Sequence, residues 1–144
     1  MTYRVRDAMQ AVRSPMLYLR REEVEAGRKL EEKQCIYEER MQRLQGKWAE
    51  LRTLSLEARV IWGEKAEATF APVKALIGEL RAEIWLHFWL KGVYAVPGAT
   101  VDNNLARVAA NDKLVYGSDD DEFSKRIDEA VNKVEEFFRR RLRG

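Results

Sequence analysis

His87 is the chain's single histidine and stands in the stretch EIWLHFWLKG, residues 83 to 92, between Trp85 and Trp89. On a helix Glu83 lies one turn before it and Lys91 one turn after, while the two indoles share a neighbouring face. Those types at that spacing allow two chemistries. One is a general base held by Glu83. The other is an imidazole in an aromatic pocket for a small ligand, with Trp62, Trp85, His87 and Trp89 as the binding set. The competing reading is packing, because Ile84, Trp85, Leu86, Phe88, Trp89 and Leu90 make this helix end apolar on nearly every side, as in a helix covered on more than one face. The residue types favour packing over a site.

Other chemistry is short of parts. A carboxylate-bridged dimetal site in a helix bundle takes Glu-x-x-His from two helices. A structural zinc site takes four ligands, usually Cys and His. One histidine and one cysteine, Cys35, supply neither, so no metal and no cofactor is expected. Cys35 lies beside an apolar seam and reads as a small buried hydrophobe. The carboxylate doublets Glu22 with Glu23, Glu31 with Glu32 and Glu38 with Glu39 point to different azimuths and read as solvated surface. No glycine pattern for phosphates or dinucleotides occurs. Catalytic residues are therefore not assigned, and the chain is expected not to be an enzyme.

The elements that must position these residues are helices. Leu30, Gln34, Tyr37, Met41, Leu44, Trp48 and Leu51 step 4, 3, 4, 3, 4, 3, a helical seam with nearly coiled-coil regularity. Ser14 before Pro15 is the signature of a helix start, which places the first long helix there. Gly46 is tolerated inside it, Ser55 marks a possible turn, and Trp62 with Gly63 is the preferred break. A second long helix carries Phe70, Val73, Ile77, Leu80, Ile84 and Phe88, with Pro72 near its first turns. Two such helices in sequence pack as an antiparallel hairpin.

From Gly92 the pattern changes. GVYAVPGATVDNN carries a Pro-Gly turn signal, with VYAV open as a strand, and LARVAANDKLVYG reads as a short helix opened by Asp102 or a neighbouring asparagine. The last segment, residues 118 to 144, reads as a helix capped by Ser118. Acids open it, arginines close it, and Phe123, Ile127, Ala130, Val134, Phe137 and Arg141 lie on one stripe.

The predicted fold is all-α: one helical domain over 1–144, with a long antiparallel hairpin, a short N-terminal helix and a C-terminal helix packed as a small bundle. Residues 1–92 hold the N-terminal helix and hairpin, 93–117 a connector that is irregular or a short helix, and 118–144 the C-terminal helix. Lys and Arg number 26 against 24 Asp and Glu, a balance that argues against a nucleic-acid partner despite the terminal RRRLRG. A lone cysteine, no apolar run long enough to span a bilayer and no apolar leader point to a cytoplasmic setting, with an anchor in a longer parent chain left open. Tryptophans 48, 62, 85 and 89 are a large apolar payload for a thin hairpin, so self-association as a homodimer is expected. The function these features suggest is a helical scaffold or protein interaction module, with the ligand-binding pocket around Trp85, His87 and Trp89 as the alternative.

Overall fold

In a computed structural model of the chain the described residues are 2–14, 27, 29–90, 105–117 and 121–142, and among them 91 % are helical with no strand. The helices are α1 (Thr2–Val12), α2 (Lys29–Trp62), α3 (Glu64–Ala68), α4 (Ala71–Leu90), α5 (Leu105–Val115) and α6 (Glu122–Leu142). The all-α bundle read from the sequence is what the chain forms. Helix starts at Ser14–Pro15 and at Asp102, the VYAV strand and the Ser118 cap fall wholly or partly outside the described residues.

The seam of α2 does what its spacing requires. Tyr37, Leu44 and Leu51 are buried, Met41 and Trp48 pack beside them, and the same 4, 3 rhythm continues through buried Ser55 and Ala58 to Trp62. Ser55 is not a turn. Its hydroxyl donates to the Arg52 carbonyl at 2.7 Å, and the helix runs on without interruption. The stop comes at Gly63, whose φ of 87° is the left-handed conformation that an L side chain resists. The short α3 and the residues Thr69 and Phe70 then turn the chain. Pro72 enters as the second residue of α4, where no intrahelical donor is lost.

All six residues of the α4 stripe, Phe70 to Phe88, are buried. Antiparallel packing of α2 and α4 follows from their end contacts. Tyr37 meets Phe88 edge-on at 5.6 Å, while Trp48 and Ser55 share a groove with Phe70 and Lys74 at the other end. On the far side α6 runs antiparallel to α4, with Phe138 against Phe70 at 5.7 Å and Arg126 paired to Glu79 at 2.6 and 2.9 Å. α1 closes the ring by packing on both α2 and α6. The carbonyl of Val12, its last residue, and that of Ser14, two residues past its end, accept from the Arg40 guanidinium at 3.2 and 2.8 Å, a cation placed at the negative end of a helix. Each member of this ring is antiparallel to its neighbours, which is the up-and-down packing of a four-helix bundle.

Asp121 caps α6. Its Oδ1 accepts the backbone N–H of Ser124 at 2.8 Å, satisfying one of the donors that a helix start leaves open. Phe123, Ile127, Ala130 and Val134 face inward as their spacing predicts, joined by Ser124 and Val131, while Phe137 is half-buried and Arg141 lies over its ring at 5.1 Å.

Candidate functional site

The histidine at the end of α4 is 2 % exposed, and both of its ring nitrogens are engaged inside the protein. Glu83 and His87 are one turn apart on α4. Arg107 and Asn111, then Asp112 and Tyr116, repeat the same spacing on α5 and its end, so the two helices meet along polar rungs. Asn111, fully buried, is the central rung. Its Nδ2 donates to the Glu83 carbonyl and to Glu83 Oε2, both at 2.8 Å, and its Oδ1 stands 3.1 Å from His87 Nδ1. His87 Nε2 lies 3.0 Å from the Tyr116 hydroxyl, and Asp112 Oδ1 is 3.3 Å from Nδ1.

Two acceptors, Asn111 Oδ1 and Asp112 Oδ1, face Nδ1, so Nδ1 carries a hydrogen, and the Tyr116 hydroxyl, which can either donate or accept, is the partner of Nε2. Arg107 grips Glu83 with two hydrogen bonds of 2.5 and 3.2 Å. Burial on its own would push the Glu83 carboxyl up, but hydrogen bonds from Arg107 and Asn111 and the Arg107 charge outweigh it and hold the group below the usual carboxylate range. Burial pushes the Tyr116 phenol up, with the Asp112 charge acting the same way. Tyr37, reaching in from α2, is raised by burial first and by Tyr116 second, against a smaller opposite pull from Arg40.

The expectation that Glu83 holds His87 directly is corrected by this geometry. Glu83 reaches the imidazole only through Asn111, because its carboxylate is taken by Arg107 and by the Asn111 amide. What the arrangement does is fasten α5 to α4. The buried imidazole and the buried Asn111 amide each find partners on the other helix, which is the condition under which a polar layer in a core is tolerated.

The aromatic set of Trp62, Trp85, His87 and Trp89 is not gathered into one pocket. Trp62 packs edge-on against Phe137 and Phe138 at 6.4 and 5.5 Å, beside Phe70 at the opposite end of α4. Trp85 is 55 % exposed and stacks on half-buried Trp89, their centroids 6.5 Å apart. The helix end is covered on more than one side, with Ile84, His87 and Phe88 buried, and Trp85 is its residue left largely in solvent. Phe88 and His87 face the bundle and α5, and no described helix covers the azimuth of Trp85. Cys35 is exposed, which overturns its reading as a buried hydrophobe. Among the described residues no three of His, Cys, Asp and Glu come together as a metal would need, and no helix is long and apolar enough to cross a membrane. Set against protein-family models, curated proteins and solved structures, the chain matches none.

A second polar centre escaped sequence reasoning altogether. Arg13, just past α1, is 1 % exposed. Its Nε donates to the Leu114 carbonyl at 2.8 Å, its Nη1 to Ser124 Oγ at 2.9 Å and to Gln10 Oε1 at 3.3 Å, and its Nη2 forms an ion pair with Asp121. The guanidinium also lies 4.7 Å from the Phe123 ring centroid. One side chain thereby ties the end of α1 to the end of α5 and the cap of α6. The only signal in the sequence was an arginine following an apolar helical face, which on most helices is solvated.

Proposed function

We propose that the chain is a non-enzymatic helical interaction module that acts through its outer faces and associates with itself. The observation that carries this reading is Trp85, a tryptophan more than half exposed at the rim of a groove between α2 and α4. Tryptophan is the residue type whose burial contributes most at protein interfaces, and large exposed aromatics on a folded domain mark binding surfaces. Val60 and Ile61 on α2, 87 % and 68 % exposed, add apolar surface near the other end of that helix. The imidazole, by contrast, is enclosed, with both ring nitrogens engaged by neighbouring side chains.

Sedimentation velocity of the wild-type chain across the micromolar range tests the reading. A mass that rises with concentration towards a dimer is the expected result. A single monomeric species throughout would overturn it.

A further inference from the structure

Where α1 packs against α2, an open groove of about 880 Å³ runs between the two helices. Arg4 lines it from α1, and Arg43 and Lys47 line it from α2. Arg4 and Arg43 are exposed and Lys47 is half-buried. Among the described residues none of the three has an ion-pair or hydrogen-bond partner. Arg40, further along the same groove, is instead committed to the carbonyls of Val12 and Ser14.

The register of the two antiparallel helices gathers these charges at one end. Val12 is level with Arg40, whose guanidinium holds its carbonyl. Two turns back along α1 and two turns on along α2 bring Arg4 level with Lys47, and Arg43 stands one turn before Lys47 on the same face. Of the two acids that border the groove, Glu39 is at the opposite end, level with Ser14. The other, Asp7, is already paired with Arg6 at 3.2 Å. The end around Arg4 therefore holds three cations from two helices with their charge unanswered, and such a concentration of one sign in a groove attracts anions.

We propose that this groove docks an acidic segment of a partner protein, whose carboxylates pair with Arg4, Arg43 and Lys47. Guanidinium forks match carboxylates with two parallel hydrogen bonds, and the lysine adds a point charge between them. Ala8, Ala11 and Ile36 form an uncharged strip in the same groove, which suits small apolar side chains set among the acids of such a segment. A nucleic-acid strand fits less well, because no aromatic ring among the described residues lines the groove for a base to stack on. The site makes no use of Trp85 and does not require the chain to associate with itself.

The experiment is fluorescence anisotropy with three labelled probes: a peptide of Glu and Ala long enough to span α1, its counterpart with Gln in place of Glu, and an oligothymidylate of similar length. The wild-type chain should bind the acidic peptide and not the Gln counterpart, with an affinity that falls as salt rises. Arg43→Glu and Lys47→Glu should each weaken that binding by about tenfold. Lys133→Glu, the same charge change as Lys47→Glu in a different groove on α6, should leave it unchanged. Circular dichroism confirms that each variant keeps its helix. A wild-type chain that does not bind the acidic peptide would overturn the proposal, and so would Lys133→Glu weakening it as much as Lys47→Glu, which would reduce the effect to net charge. Oligothymidylate held more tightly than the peptide, and lost in the same two variants, would overturn it in favour of a nucleic-acid strand.

Discussion

Arg13 lies so close to Gly117 that a β-carbon on the glycine would overlap the guanidinium group. The glycine is there for room. The buried guanidinium passes against the backbone just after α5 on its way to Asp121 and Ser124, and any side chain at 117 would have to displace it.

Gly117→Ala should destabilise the fold by about 1 to 3 kcal/mol, the usual cost of forcing extra volume into a filled site. Arg13→Ala should cost about 3 to 5 kcal/mol, because it leaves the Asp121 carboxylate without its cation in a place with little water. In the Arg13→Ala background Gly117→Ala should then cost almost nothing, since the atom it collides with is gone. Urea titration of the four chains measures all three terms, and additive costs would disprove the contact.

Stability should fall on both sides of neutrality. Asp121, like Glu83, would be raised by burial alone, yet the hydrogen bond from Arg13, those from the Ser124 backbone and hydroxyl, and the Arg13 charge together hold it below its ordinary value. A depressed carboxylate stabilises the fold above its unfolded pKa, near 4, and that contribution is lost as pH falls through the folded value. Tyr37 and Tyr116 are raised, chiefly by burial, so their contribution is present below about pH 10 and lost as pH rises further. Urea midpoints measured from about pH 2 to 11 should trace this dome, and Asp121→Asn should flatten its acid limb.

Two glycines should respond with opposite signs to the same substitution. Gly46 is inside α2, and an added β-carbon there meets nothing, so Gly46→Ala should stabilise by about 0.5 to 1 kcal/mol through helix propensity. Gly63 has equally open surroundings but a φ of 87°, so Gly63→Ala should destabilise by about 1 to 2 kcal/mol through backbone strain alone. Thermal midpoints of the two variants against wild type check the pair.

Phe88→Ala should cost about 3 to 5 kcal/mol, since the ring is 2 % exposed and packs on Tyr37 and His87. Trp85→Ala, three residues earlier on the same helix, should cost clearly less, about 1 to 2 kcal/mol, because more than half of its surface is in water. Chemical denaturation at a concentration low enough to keep the protein monomeric separates this effect from any loss of association.

What the sequence determined by itself is the local order. The step of three and four residues places Tyr37, Leu44 and Leu51, or Ile77, Leu80 and Ile84, on one side of a helix whatever lies beside it, because that period is a property of the backbone. Gly63 ends α2 and Pro72 opens α4 for equally local reasons. The tertiary structure decided which faces are covered and which polar groups meet. Arg13 finds Asp121 across 108 positions of chain, and His87 finds Asn111 across 24, encounters that no local spacing encodes. Trp85 and Phe88 sit on one apolar-looking turn, yet the first is exposed and the second buried, since burial depends on whether a neighbouring helix packs at that azimuth. That depends on the arrangement of elements distant in the chain, so the candidate site, unlike the helices that carry it, became legible only once those elements were in place.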